Sequence, residues 1–83
     1  MSPQLGRFLK ALRTSAAEGH ITVTEAAKRS GVARQTIHKW EGGEAKPEPE
    51  HIRALCEAYG AQPEQLDRAL RLRAEPDPNS AAA

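Results

Sequence analysis

Four polar residues lie on one side of a short segment that is predicted to be helical. They are Arg34, Gln35, His38 and Lys39. Arginine can form two parallel hydrogen bonds with O6 and N7 of guanine, and glutamine can form two with N6 and N7 of adenine. Thr36, in the same segment, suits a base methyl or a phosphate oxygen. Because Ile37 and Trp40 occupy the other side of the segment, the polar residues are expected to face outward, where His38 and Lys39 can also hydrogen-bond DNA.

The charge of the chain is unevenly distributed along its length. Residues 1–40 carry seven Lys and Arg residues and two acidic residues, whereas residues 41–83 carry five basic and nine acidic residues. The net charge of +1 therefore hides a basic first half and an acidic second half. A basic face of this kind is typical of proteins that bind a polyanion, although an ordinary solvated surface also produces it.

The composition argues against several other classes of protein. A single cysteine, Cys56, excludes an internal disulfide and a multi-cysteine metal site, which indicates a reducing, cytoplasmic location. No apolar run approaches the roughly twenty residues that span a bilayer, and no signal peptide is evident. His20, His38 and His51 lie on three different elements, so no metal site is expected, and His51 is assigned to the protein surface. No constellation of nucleophile, acid and base indicates an enzyme, and no cofactor is expected.

Apolar residues recur at helical spacing along the chain, which predicts an all-α fold. The first helix begins at Pro3, has leucine or phenylalanine at helical spacing over residues 5–12, and ends near residue 15 or 17. Thr22 and Glu25 fit a capping box at the start of a second, short helix. Gly31 ends that helix, because glycine readily takes the left-handed conformation that reverses the chain.

Three further helices are predicted after this turn. The third runs from about Arg34 to Glu41, with Trp40 on its apolar side as a core residue. The fourth begins at Pro49 and ends at Gly60, with Cys56 on its buried stripe. The fifth begins at Pro63 and ends at Arg73, which gives one domain over residues 1–73. Residues 74–83 are predicted to be a disordered tail.

Several short pieces of sequence occur in a fixed order within these elements. They are Thr22-x-x-Glu25-Ala-Ala27, Gly31-Val32, Arg34-Gln-Thr-Ile37, Trp40-Glu41-x-Gly43, Pro47 and Leu55-x-x-x-Tyr59-Gly60-x-x-Pro63-x-x-Leu66. In this order and spacing they resemble the lambda repressor/Cro-like (Xre-type) helix-turn-helix family, over the segment from Ile21 to Asp67. The resemblance implies a five-helix domain that binds operator-like DNA, with the helix Arg34–Glu41 in the major groove.

The resemblance also implies contacts with the DNA backbone. In that family the loop after the third helix approaches the backbone, which assigns a phosphate contact to Lys46 and to the backbone N–H of Gly43. Thr22 and Thr24, at the start of the second helix, are candidates for a similar contact, because the N–H groups of a helix start attract anions.

Compared with that family, the chain keeps one feature and departs in three. Related sequences have an arginine and a glutamate at the positions of Arg13 and Glu41, which predicts a partly buried ion pair. Val23 stands where the family has a glutamine that touches a phosphate. Ala33 stands where a serine or threonine caps the third helix, which removes about 1 kcal/mol of capping. The connection from Arg13 to Ile21 is longer, so either a longer first helix or a larger loop is expected.

These features predict a sequence-specific regulator of transcription that binds double-stranded DNA. A repressor is favoured over an activator, because no separate effector domain fits in this length. A homodimer that pairs through the fifth helix is expected, because one short helix contacts few base pairs and members of the family commonly pair on near-palindromic operators. The alternative is an antitoxin-like or regulatory module that uses the same fold chiefly to bind a protein partner.

Overall fold

The computed structural model describes residues 3–16 and 19–74, and these residues form five α-helices. They are α1 (Pro3–Thr14), α2 (Val23–Ser30), α3 (Arg34–Glu41), α4 (Pro49–Tyr59) and α5 (Pro63–Ala74). α1 packs against α3, α4 and α5, α2 packs against α3 and α4, and α4 also packs against α5. The predicted all-α, five-helix fold is therefore confirmed. None of the helices in the described ranges is long and apolar enough to cross a membrane.

Thr22, Gly31 and Gly60 start or end helices as predicted. Thr22 precedes α2, and its Oγ1 accepts a hydrogen bond from the backbone N–H of Glu25 at 3.1 Å. Gly31 and Gly60 end α2 and α4 in the left-handed conformation, with φ of 75° and 67°. This conformation favours glycine because it crowds a Cβ atom. Ala33 precedes α3 and makes no side-chain cap hydrogen bond, as its methyl group dictates.

The chain differs from the prediction at the ends of α1 and α5. α1 ends at Thr14, so a larger loop, rather than a longer helix, accommodates the long connection to α2. The backbone N–H of Ile21 donates to the carbonyl of Arg13 at 3.1 Å and closes this loop. α5 continues to Ala74, one residue beyond its expected end. The rest of the predicted disordered tail, residues 75–83, lies outside the described residues.

One hydrophobic core receives side chains from all five helices. Its buried members are Leu5, Leu9, Leu12, Ile21, Ala26, Ile37, Trp40, Ile52, Leu55, Cys56, Tyr59 and Ala69. The predicted core positions of Trp40 and Cys56 are thus confirmed. Among these buried residues α2 contributes only Ala26 and α5 only Ala69, and both small side chains let their helices approach the core closely.

α1 and α3 approach each other closely at Gly6, a position that carried no signal in the sequence. A Cβ atom at Gly6 would lie 2.5 Å from the carbonyl oxygen of Trp40 and 2.6 Å from that of Glu41. Both obstacles are backbone atoms, so no side-chain rotation relieves the clash. Gly6 therefore sets the short distance between α1 and the C-terminal end of α3.

We expect Gly6→Ala to destabilise the protein. A steric cost of about 1–3 kcal/mol or more exceeds the gain of roughly 1 kcal/mol in helix propensity. Urea denaturation followed by circular dichroism measures the change, with Lys10→Ala at an exposed position of α1 as the control. A Gly6→Ala protein as stable as the control would show that α1 and α3 can move apart at no cost and that Gly6 does not set their distance.

Candidate nucleic-acid interface

α2 and α3 are two short helices joined by a three-residue turn. α2 ends at Ser30 and α3 begins at Arg34. The left-handed Gly31 reverses the chain, and the half-buried Val32 anchors the turn to the core. This arrangement places the second helix of the pair, α3, at the protein surface, as in proteins that insert a helix into the major groove.

α3 is buried on one side and accessible on the other. Ile37 and Trp40 are only 1% and 6% exposed, so the core holds the inner side of the helix. The exposed residues are Arg34, Gln35, His38 and Lys39. Thr36 is half-buried and has less surface to offer than its neighbours. The structure therefore brings four of the five predicted base-contacting side chains onto an accessible face.

The start of α2 lies beside the start of α3. Arg34 Nη1 donates to Oγ1 of Thr24 at 3.4 Å, which joins the two helices through exposed side chains. Thr22 is also exposed, and its hydroxyl proton is not needed for the bond that Oγ1 accepts from Glu25. Val23 is half-buried and packs against the core. The position where the family places a phosphate-binding glutamine thus serves packing in this chain.

The backbone N–H of Gly43 is already paired in this structure. It donates to the carbonyl of Trp40 at 3.2 Å, and Gly43 itself is buried with φ of 80°. The next N–H, of Glu44, donates to the carbonyl of Lys39 at 2.9 Å. These bonds satisfy carbonyls at the end of α3, so a phosphate would have to displace the bond to Trp40 before it could accept from Gly43.

Lys46 is exposed, and its ammonium group connects the loop after α3 to the end of α5 through a hydrogen bond. Lys46 Nζ donates to the carbonyl of Arg73 at 3.2 Å. Arg73 in turn donates from Nε to the carbonyl of Pro47 at 2.8 Å and from Nη2 to the carboxylate of Glu48 at 3.1 Å. The sequence did not predict this connection, because its partners lie more than twenty-four residues apart along the chain.

The predicted ion pair between Arg13 and Glu41 is present and joins α1 to the end of α3. Arg13 Nε donates to Glu41 Oε2 at 2.7 Å, and Nη2 donates to Oε1 at 2.9 Å. Nη1 donates to the carbonyl of Ile21 at 2.8 Å. The hydrogen bond to Glu41 is the main cause that raises the pKa of Arg13, so the guanidinium remains charged inside the fold. One side chain therefore ties together α1, the loop before α2, and α3.

α4 carries two titratable residues that are wholly or partly withdrawn from solvent. His51 was expected at the surface but is half-buried, because its ring packs beside Trp40 with centroids 5.3 Å apart. Burial raises the pKa of Cys56 to about 11, so its thiol stays protonated and packs as an apolar group. Within residues 3–16 and 19–74, no group of three or more His, Cys, Asp or Glu residues is placed to hold a metal ion.

A family model described as a helix-turn-helix domain matches residues 4–74, which include nearly the whole of all five helices. The chain belongs to the helix-turn-helix domain family. This membership agrees with the resemblance to Xre-type sequences, and α2 and α3 are the two helices that flank the turn of the helix-turn-helix domain. No curated protein matches the chain.

We expect Glu41→Gln to lower the free energy of unfolding by about 3 kcal/mol, because it leaves the charge of Arg13 without its partner in a site where both side chains are less than 10% exposed. The shift in the urea midpoint, converted with the measured slope, gives this loss. Glu57→Gln removes an exposed carboxylate of α4 and is the matched control. A loss no larger than that of the control would contradict the assignment of the pair as a tie between α1 and α3.

Proposed function

We propose that this helix-turn-helix protein is a sequence-specific transcriptional regulator that binds double-stranded DNA in the cytoplasm and acts as a repressor. The observation that carries the proposal is the accessible face of α3. Its outer side chains are polar and exposed, whereas Ile37 and Trp40 on the opposite side are buried in the core. As a repressor the protein would act by occupying its operator. The proposed functional domain is the predicted one, residues 1–73, extended by the one residue to which α5 continues, Ala74.

In the proposed complex α3 lies in the major groove and supplies the base contacts. Arg34 and Gln35 stand at the start of the helix, where recognition helices contact base edges. Their side chains suit guanine and adenine respectively. Lys39 and His38 lie further along the same face and contact bases or phosphates, and the half-buried Thr36 contributes a smaller contact.

Affinity that is independent of sequence comes from contacts with phosphates. Thr22 and Thr24 present exposed hydroxyl groups at the start of α2. Lys46 contacts a phosphate beyond the end of α3, since an ammonium group has three protons and its bond to Arg73 uses one. Gly43 contributes only if its N–H leaves the carbonyl of Trp40.

Arg34→Ala and Gln35→Ala are each expected to weaken binding to the preferred duplex by about 1–3 kcal/mol and to relax the preference at particular base pairs. The preferred duplex is first selected from a random pool, and affinities are then measured by fluorescence anisotropy. Gln62→Ala, at an exposed position between α4 and α5, is the control. Equal losses on the preferred and on random duplexes would show that the two residues touch only phosphates.

Lys46→Ala is expected to weaken binding to all duplexes by a similar factor. It should also reduce the slope of log affinity against log salt by about one, because each phosphate contact releases roughly one counterion. Arg53→Ala, which removes an exposed positive charge of α4, is the control and should leave the slope nearly unchanged. An unchanged slope for Lys46→Ala would remove this lysine from the interface.

A homodimer that pairs through α5 is part of the proposal. Leu72 lines an open groove of about 530 Å³ between α1 and α5, together with Gln4, Arg7, Phe8 and Arg68. α5 carries three arginines, Arg68, Arg71 and Arg73, whose charges would repel across a two-fold axis, but two of them interact within their own chain. Arg68 lies over the ring of Phe8 at 5.7 Å from its centroid, and Arg73 pairs with Glu48. Both positive charges are therefore engaged within their own subunit.

The dimer is expected to place its two recognition helices about 34 Å apart, one turn of DNA. Light scattering of the protein with a saturating palindromic duplex should therefore give two chains per duplex. Leu72→Glu is expected to reduce this to one chain per duplex, whereas the stability of the isolated chain should change little because Leu72 is only half-buried. One wild-type chain per duplex at saturation would contradict the dimer.

The second candidate function is an antitoxin-like or regulatory module that chiefly binds a protein partner. The same groove between α1 and α5 favours it, because Phe8 and Leu72 give the groove an apolar lining. Salt dependence separates the two functions. A DNA-binding protein loses affinity for duplex steeply as salt rises, whereas a protein-binding module is expected to bind duplex weakly at every salt concentration.

A further inference from the structure

The open groove between α1 and α5 combines apolar surface with two positive charges. Phe8 and Leu72, both half-buried, supply its apolar lining, and its volume is about 530 Å³. Arg7 and Arg68 line the same groove and are exposed. Arg68 lies over the ring of Phe8, but neither arginine forms a hydrogen bond or an ion pair within the described part of the chain. Such a groove suits a segment that carries acidic residues beside nonpolar ones.

The part of the chain that follows α5 has this composition. Residues 75–83 contain two acidic residues, Glu75 and Asp77, no basic residue, and otherwise proline, asparagine, serine and alanine. Each acidic residue precedes a proline, which disfavours the helical conformation at that residue and favours an extended one. The sequence therefore predicts that the chain leaves the axis of α5 at Glu75 and does not prolong the helix.

Residues 75–83 are long enough to reach the groove of their own chain. α5 ends at Ala74, and Arg68 lies six residues earlier, which corresponds to about 9 Å along the helix axis. An extended segment of nine residues spans up to about 30 Å. Because the segment is attached to one wall of the groove, its local concentration there exceeds that of a second copy in dilute solution.

We propose that residues 75–83 fold back into the groove between α1 and α5 of their own chain. The carboxylates of Glu75 and Asp77 then face the two guanidinium groups, and the segment covers the surface through which two chains are proposed to pair. One groove cannot hold both occupants, so the segment opposes pairing until a palindromic duplex brings two chains together. The docking itself is independent of the proposed function, whereas its effect on pairing rests on that function.

A nitroxide spin label on the segment reports whether it occupies the groove. Ser80→Cys provides the thiol for the label, and the native Cys56 does not compete because it is only 3% exposed. In nitrogen-15-labelled protein the nitroxide should weaken the amide signals of Arg7 and Phe8 several-fold more than that of Lys28. Lys28 is an exposed residue of α2, which packs against α3 and α4.

Neutral variants test whether charge holds the segment in the groove. Glu75→Gln with Asp77→Asn should reduce the broadening of the groove signals about twofold or more, and adding Arg7→Gln should then change little, because its partner is already lost. The matched control, Glu44→Gln with Glu57→Gln, removes two exposed carboxylates that do not line the groove and should leave the broadening unchanged. Equal broadening in the wild type and in the neutral variants would overturn the docking.

A mixture of two samples separates docking within one chain from docking in a second copy. Spin-labelled protein without nitrogen-15 is mixed with nitrogen-15-labelled protein that carries no spin label. Docking within one chain predicts no selective broadening in this mixture. Selective broadening of the signals of Arg7 and Phe8 would show that the segment occupies the groove of a second copy, and it would overturn the proposal.

The effect on pairing is measured separately, with a palindromic duplex and with a duplex that has a single half-site. An occupied groove lowers the fraction of chains that can pair, so Glu75→Gln with Asp77→Asn should tighten binding to the palindrome about fivefold but to the half-site by less than about twofold. Equal factors on both duplexes would overturn the effect on pairing, because loss of negative charge strengthens any contact with DNA. If the protein bound no duplex, the proposed function and the effect on pairing would fail together, while charge-dependent broadening would still support the docking.

Discussion

The paired Arg13 and Glu41 side chains are the constraint on which the position of the exposed helix depends. Burying two charges is costly, and the cost is offset only where each hydrogen-bonding group finds a partner. Here Arg13 makes two bonds to the carboxylate and a third to the carbonyl of Ile21. Gly6 lets α1 approach to the distance at which these bonds form, since its missing Cβ leaves room for the carbonyls of Trp40 and Glu41.

α3 needs this constraint because it is a weak helix by itself. It has eight residues, fewer than an isolated helix requires for stability in water, and Ala33 gives it no side-chain cap. Its helical state therefore depends on tertiary contacts. Those contacts lie on its inner side and towards its C-terminal end, at Ile37, Trp40 and Glu41. They leave Arg34 and Gln35 at its other end uncovered, so the first turn of the helix stays accessible.

Features that depend on a few neighbouring residues were predicted from the sequence alone. Thr22 as a cap and Gly31 and Gly60 as helix ends are local preferences, and the structure confirms them. The pair of Arg13 and Glu41 is not local, and only the resemblance to a known family predicted it. Gly6, the ring contact of His51 and the bond of Lys46 have no sequence signal, because each depends on which helices become neighbours in space. The base-contacting role of the α3 residues is untested and stays a prediction.

The hydrogen bonds between the loop after α3 and the end of α5 connect the proposed phosphate-contacting residue, Lys46, to the proposed dimer helix, α5. Lys46 and Arg73 hold that loop against the end of α5, so the proposed phosphate contact and the proposed dimer helix share a hydrogen-bond network. An exposed lysine contributes little to stability, but one that is already restrained loses less entropy when it meets a phosphate. The same bonds tie the end of α5 to the loop that follows α3. In the proposed dimer through α5, this tie would help to set the spacing of the two recognition helices, so the fit to DNA would depend on the fold as well as on the DNA contacts.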